Sequence, residues 1–153
     1  MPRSTQDIDI TLFCDDEGLL SILRVIEDRG YTVDEAYKRG GKGMVAGLHF
    51  VQCKRDLGSH TVDVDLFLCE SSFQQSLLNR RRREIVDDCE FWLISREDLI
   101  LSKVCAARYR DYSDAEEVLV IQRQLDEDYM RHWAKELGVL KKLEQLLKES
   151  REM

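Results

Sequence analysis

The sequence predicts an α/β (α+β) chain, a small sheet with few helices followed by a wholly helical C-terminal part. Three observations carry that prediction. Strand-like runs with alternating or continuous apolar residues crowd the first 94 positions, helix-period patterns fill residues 95 to 153, and the lone proline, Pro2, interrupts none of them. At 153 residues and 43% hydrophobic content the chain can bury one real core, which predicts a single domain over 1–153 with a sheet-rich part at 1–94 and a helical part at 95–153.

Taken in order, DIDITLF at 7 to 13 alternates acid and aliphatic, so it reads as a strand with Asp7 and Asp9 on one face and Ile8 and Ile10 in the core. DDEG leads into LLSILRVIEDRG, whose apolar residues from Leu19 to Ile26 form a broad helical stripe, with Gly30 where a C-terminal cap belongs. YTVDEAY is a short strand and GGKG at 40 to 43 a flexible loop. MVAGLHFVQC and HTVDVDLFL read as two strands joined by KRDLGS in an antiparallel hairpin.

SSFQQSLLNRRRR is a helix capped by Ser71 or Ser72, and REIVDDCEFWLI a small hairpin around Asp87 and Asp88. Ser95 followed by Asp98 resembles a capping box. Four helical segments follow: EDLILSKVCAARY, DAEEVLVIQRQL, EDYMRHWAKELG and LKKLEQLLKES. Trp92, Trp133, Phe91 and Tyr129 are expected to pack in the core or between helices.

A net charge of −7 excludes a general nucleic-acid coat, because phosphate neutralisation needs a basic surface. The arginine run 80 to 83 is a local exception that suits a phosphate, although a solvated helix end explains it more simply. Five scattered cysteines without a C-x-x-C pair fit free thiols in a reducing compartment, and without a leader or membrane-length apolar run the expected location is cytoplasmic. His49, His60 and His132 have no ligand spacing.

The acids are the chemical signal. Asp63 and Asp65 in TVDVDLFL repeat the spacing of Asp7 and Asp9, so adjacent strands would gather three or four carboxylates on one face. Such a group repels itself unless a cation is present, and hard oxygen donors favour Mg²⁺ or Mn²⁺. The plainer alternative is a pair of solvent-facing strands that alternate acids with aliphatics, and one D-x-D alone favours that alternative.

Arg3 to Asp9, RSTQDID, resembles the R-x-T-x-D-[IL]-D signature of the nucleotidyltransferase superfamily, especially small bacterial members similar to the toxins of type IV toxin–antitoxin systems. DLILSK, ending at Lys103, is similar to that family's lysine-bearing helix, and Arg108 to Asp114, RYRDYSD, resembles its R-x-K-D-h-x-D pattern with arginine replacing the central lysine. The resemblance implies a nucleotidyltransferase-like mixed sheet that transfers a nucleoside monophosphate from an NTP to an acceptor hydroxyl on a tRNA, protein or small molecule. It further implies metal binding by Asp7, Asp9 and Asp65, with Asp65 activating the hydroxyl. Nucleotide contacts fall on Arg3, Thr5, Lys103 and Arg108, and supporting roles on Asp111 and Asp114.

Relatives carry a Gly-Gly or Gly-Ser turn and helix ahead of the first strand, whereas Met1 here directly precedes Pro2 and Arg3. Two expectations follow. The chain is either an active enzyme or a catalytically degenerate homologue serving as an interaction module in a toxin–antitoxin or defence setting; and the sheet face left bare is expected to be buried in a homodimer or larger homo-oligomer.

Overall fold

The computed structural model describes residues 7–106, 108–122 and 124–152. The chain divides into two compact units, Met1–Gln74 and Gln75–Met153. The architecture is mixed α+β, with the helices concentrated toward the C-terminus.

The first unit begins with strand β1 (Asp7–Leu12) and helix α1 (Asp16–Asp28). Asp15 caps α1 by accepting the Gly18 amide at 2.7 Å, and Asp16 and Glu17 lie in the first turn, where the helix dipole favours negative charge. Gly30 follows the helix at φ +86°, a left-handed conformation that glycine adopts without Cβ strain. Next come β2 (Thr32–Val33) and the one-turn helix α2 (Glu35–Lys38). Here the structure corrects the reading of YTVDEAY as a strand: Asp34 accepts the Ala36 amide at 2.7 Å, caps α2 and stops the strand after two residues.

MVAGLHFVQC is likewise not one strand but two, β3 (Gly43–Val45) and β4 (Leu48–Asp56). Ala46 and Gly47 both take positive φ, 49° and 77°, which is the backbone of a two-residue type I′ hairpin turn. Alanine is a poor marker for such a turn, so the break is invisible in the residue pattern. Strand β5 (Thr61–Leu68) follows a four-residue loop that Asp56 and Gly58 organise, the Gly58 amide donating to Asp56 at 2.7 Å.

The strand order is β1-β5-β4-β2, with β3 paired to β4. β1 runs parallel to β5, while β4 is antiparallel to both β5 and β2, so the sheet is mixed and the β4–β5 hairpin is inserted between its two edge strands. Leu19 and Leu23 of α1 pack with Val33, Val51, Cys53, Val64, Leu66 and Leu68 on one sheet face. That helix lies over the centre of the sheet and leaves edge strand β1 uncovered. Ile8 and Ile10, expected in the core, are 48% and 40% exposed, and they line an open groove of about 410 Å³ together with Val25, Ile26 and Arg29.

Helix α3 (Ser72–Arg80) starts with Ser71 Oγ accepting the Gln74 amide at 3.2 Å, and it stops at Arg80 rather than running on to Arg83. The second unit then holds β6 (Arg82–Val86) and β7 (Cys89–Leu93), an isolated two-stranded sheet turning on Asp87 and Asp88, both at positive φ. Phe91 and Trp92 do not pack in the core of the second unit; they are 47% and 55% exposed, because no other described strand pairs with this hairpin and the unit's buried bundle is built by the helices that follow. After it come α4 (Arg96–Ala106), α5 (Tyr109–Ile121), α6 (Glu127–Glu136) and α7 (Leu140–Glu152). Ile100, Leu101 and Val104 of α4, Ala115 and Leu119 of α5, Met130 and Ala134 of α6, and Leu143, Leu146 and Leu147 of α7 supply the buried side chains of this bundle.

A polar network inside the second unit ties three helices. Asp98, fully buried, accepts the Ser95 hydroxyl at 2.5 Å and the Tyr129 hydroxyl at 2.6 Å, while the Arg80 guanidinium lies 3.9 Å from the centre of the Tyr129 ring. Burial, reinforced by the bond to Asp98, pushes the Tyr129 phenol up to about 12. No described helix is long and apolar enough to cross a membrane.

The uneven cover of the sheet has a measurable consequence. Leu23→Ala should lower the unfolding free energy by about 3 kcal/mol, the cost of a fully buried leucine. Ile10→Ala should cost about 1 kcal/mol or less, since much of that side chain is already in water. Urea denaturation of both variants checks this; equal losses would show that Ile10 is buried as fully as Leu23.

Candidate functional site

In the first unit the candidate site is built by strand register. β1 and β5 pair in parallel with Asp7 opposite Asp63 and Asp9 opposite Asp65, and residues opposite one another in a ladder share a face. All four acids therefore occupy the sheet face opposite α1. Phe50 and Phe67, with ring centres 5.7 Å apart, continue that face toward one end.

The antiparallel neighbour β4 supplies what the acids lack. Its register places Gln52 opposite Asp65 and Lys54 opposite Asp63. Gln52 Nε2 donates to Asp65 Oδ1 at 2.9 Å, whereas Lys54 Nζ approaches Asp63 Oδ1 at 3.8 Å with both side chains well exposed. Asp63 thus faces a cation and Asp65 a neutral amide, an electrostatic difference between two acids only two residues apart. Neither Gln52 nor Lys54 stands out in the linear sequence. Their signal lies in the length of the turn: once the loop is fixed at Leu57 to His60, the Asp56–Thr61 closure sets the register and names both partners.

Whether these acids suit a divalent cation can be judged from donor chemistry and register. The donors are hard carboxylate oxygens on adjacent strands, one sheet spacing of about 4.8 Å apart, which is the ligand type Mg²⁺ and Mn²⁺ prefer. Among the described residues, however, no three His, Cys, Asp or Glu side chains are gathered closely enough to hold a metal ion as they stand. The backbone brings the donors to one face, and chelation would require their side chains to turn toward a common point. Arg3 and Thr5, also singled out in the sequence, lie outside the described residues.

The second unit holds the remaining candidates, and it does bring them together. Lys103, in the last turn of α4, lies 3.4 Å from Asp111 Oδ1 and 3.3 Å from Asp114 Oδ2 on α5. Arg108 Nε donates to Asp111 Oδ2 at 2.9 Å, and Asp111 also accepts the Arg108 amide at 3.3 Å, so the same carboxylate braces the start of α5. The i, i+3 step from Arg108 to Asp111 and from Asp111 to Asp114 places both acids on one helix face toward Lys103.

Asp111 is only 3% exposed. Burial alone would raise its carboxyl pKa, but the Arg108 bond and the nearby charges of Arg108 and Lys103 more than offset it and hold the group below the usual carboxylate value near 3.8. A carboxyl lowered on folding stabilises the protein above its unfolded pKa, and that contribution disappears as pH falls through the folded value. Asp111→Asn should therefore cost about 2 kcal/mol at pH 7, the loss of charge-assisted hydrogen bonds. The penalty should begin to shrink as pH falls below about 3.8, where the unfolded group starts to take up its proton, and should vanish once pH has fallen through the lower value of the folded group. Guanidinium unfolding of both proteins across that range tests the sign; a cost independent of pH would mean that shape, not charge, makes Asp111 matter.

No individual curated protein matches this chain. A family profile does: that of the nucleotidyltransferases of unknown function, DUF6036, which aligns with residues 1–148. It thus takes in both the strand carrying Asp7 and Asp9 and the helices carrying Lys103, Asp111 and Asp114, in one continuous match over almost the whole length, and the chain belongs to this nucleotidyltransferase family.

Proposed function

We propose that the protein transfers a nucleoside monophosphate from an NTP to an acceptor hydroxyl at the carboxylate face of its first unit. The observation that carries this reading is the parallel register of β1 and β5, which sets Asp9 beside Asp65 and Asp7 beside Asp63 in a member of a nucleotidyltransferase family. Asp7, Asp9 and Asp65 would hold Mg²⁺ or Mn²⁺, which would neutralise triphosphate charge and favour departure of pyrophosphate.

Asp65 takes the proton. As the acceptor oxygen forms its bond to the α-phosphorus, the bond from that phosphorus to the bridging oxygen of pyrophosphate breaks, and the hydroxyl proton passes to the Asp65 carboxylate. Gln52 supports this assignment over Asp63, because it fixes one Asp65 oxygen with an uncharged donor while Lys54 draws on the Asp63 charge. In the second unit Lys103 is the candidate phosphate contact, with Asp111 and Asp114 holding its ammonium in place. The acceptor is a tRNA, a protein side chain or a small molecule.

A second reading, a degenerate homologue that serves as an interaction module in a toxin–antitoxin or defence setting, is favoured by one observation. The described acids do not close on a shared point.

Calorimetry with Mg²⁺ and each NTP separates the two. Under the enzymatic reading, nucleotide binding depends on Mg²⁺ and disappears in Asp9→Ala. Asp65→Asn retains binding yet loses transfer of labelled nucleotide by about 10²- to 10⁴-fold, the usual scale for a proton acceptor. Absence of any heat at millimolar nucleotide, with or without Mg²⁺, would leave only the interaction module.

A further inference from the structure

The β6–β7 hairpin stands apart from everything the proposed chemistry uses. Every residue of both strands is exposed, including Ile85 at 65%, Val86 at 57%, Phe91 at 47%, Trp92 at 55% and Leu93 at 51%. An isolated two-stranded sheet is marginal in water, whereas three or more strands hold together. Both outer edges pair with no other described strand, so the backbone presents unsatisfied amide and carbonyl groups along them.

Charge argues against a nucleic-acid partner for this element. Arg81, Arg82 and Arg83 are outnumbered by Glu84, Asp87, Asp88 and Glu90. Moreover, Arg83 already binds Glu90 at 2.6 Å, and the Arg81 guanidinium lies 4.6 Å from the centre of the Trp92 ring. What remains is a strand with a basic start and an acidic end.

We propose that two copies of the chain pair along β6, antiparallel about a two-fold axis at Ile85, to make a four-stranded sheet. Strand geometry selects this centre. The Val86–Cys89 pair closes the two-residue turn and directs its amide bonds inward, so the N–H and C=O groups of Ile85 and Arg83 face the open edge. A two-fold at Ile85 turns Ile85 on its own copy as a hydrogen-bonded pair. It also sets the Arg82–Arg83 end of one strand against the Asp87–Asp88 turn of the other. Shifting the axis to Glu84 or Arg83 would oppose like charges, which is destabilising across a ladder.

Two other surfaces are weaker hosts for a second copy. The outer edge of β7 is apolar, but it offers no opposite charges to fix a register. The groove beside Ile8 and Ile10 carries Arg29 and Arg55, and self-pairing there would bring guanidinium groups toward their own copies.

Sedimentation velocity and site-directed cross-linking on the full chain test the proposal. The native protein should sediment as a dimer at tens of micromolar, and Ile85→Asp should sediment as a monomer with its far-ultraviolet circular dichroism unchanged. In a Cys89→Ser background, Ile85→Cys should give a disulfide-linked dimer on mild oxidation, while Phe91→Cys, Ile10→Cys and the background itself should not. A native monomer, a dimer indifferent to Ile85→Asp, or cross-linking at Phe91→Cys or Ile10→Cys in place of Ile85→Cys would each overturn it.

Discussion

The in-register parallel pairing of β1 with β5 is the constraint on which the candidate site depends. A one-residue slip between these strands would move Asp7 and Asp9 into the half-exposed apolar groove beside Val64 and Leu66, and would turn Leu12 away from the core it packs against. Apolar matching therefore enforces the register, and the acids are carried to the opposite face as its consequence. Their mutual repulsion is not negligible. Two carboxylates about 5 Å apart repel by about 0.8 kcal/mol at the dielectric of water and by several times that at an effective dielectric near 20. With two cross-strand pairs the total is a noticeable fraction of a typical folding free energy of about 5–15 kcal/mol. Gln52 and Lys54 from β4 offset part of it, one with an amide and one with a charge. Were a divalent cation to bind there as proposed, it would relieve the remainder, which is how the sheet's architecture connects to the chemistry proposed for it.

Much of this was legible in the sequence, and the parts that were not have specific physical reasons. The D-x-D pairs gave the shared face because strand periodicity is two whatever the neighbours are. The hairpin of β4 and β5 followed from its turn residues. The break at Ala46–Gly47 did not, since alanine seldom adopts the left-handed conformation that this turn demands of it. The burial of Ile8 and Ile10 was misjudged for a different reason: alternation says which residues share a face but not whether a helix reaches far enough across the sheet to cover it. Phe91 and Trp92 failed in the same way, their apolar character being real and no other described strand pairing with their hairpin.

The second unit shows two kinds of charge placement with different effects. Around Asp98 the carboxylate is wholly enclosed and its partners, Ser95 and Tyr129, are neutral hydroxyls, with Arg80 3.7 Å away. Such a cluster fixes how α4 and α6 meet, because removal of one partner would strand a buried charge. Around Lys103 the cation remains partly in solvent, at 32% side-chain exposure, and two acids share it. That arrangement orients a lysine without enclosing it. The resemblance of DLILSK and RYRDYSD to family motifs pointed to the Lys103 cluster in advance, although the helical pattern in the sequence begins the second helix only at Asp114, whereas α5 starts at Tyr109 and so carries Asp111 and Asp114 on one face. In the Asp98 cluster the Ser95–Asp98 contact was legible as a capping pattern, but the Tyr129 partner lies 31 positions away and no local pattern reveals it.

The same distinction separates the two exposed apolar surfaces. Beside Ile8 and Ile10 the groove lies on a sheet whose central strands β4 and β5 contribute Val51, Cys53, Val64, Leu66 and Leu68 to the core, so β1 is held by its ladder with β5 irrespective of what occupies the groove. The hairpin has no such support. Its strands contact chiefly each other, and its five ladder pairs must hold it against the entropy of ordering a dozen residues, roughly 1–2 kcal/mol for each backbone. Val86, Phe91 and Leu93 share one hairpin face with water on it, and they stabilise the hairpin little until that water is displaced. An element so placed gains stability from a partner strand, and under the pairing proposed for β6 it is the charge pattern along that strand, rather than the size of either apolar patch, that sets the register.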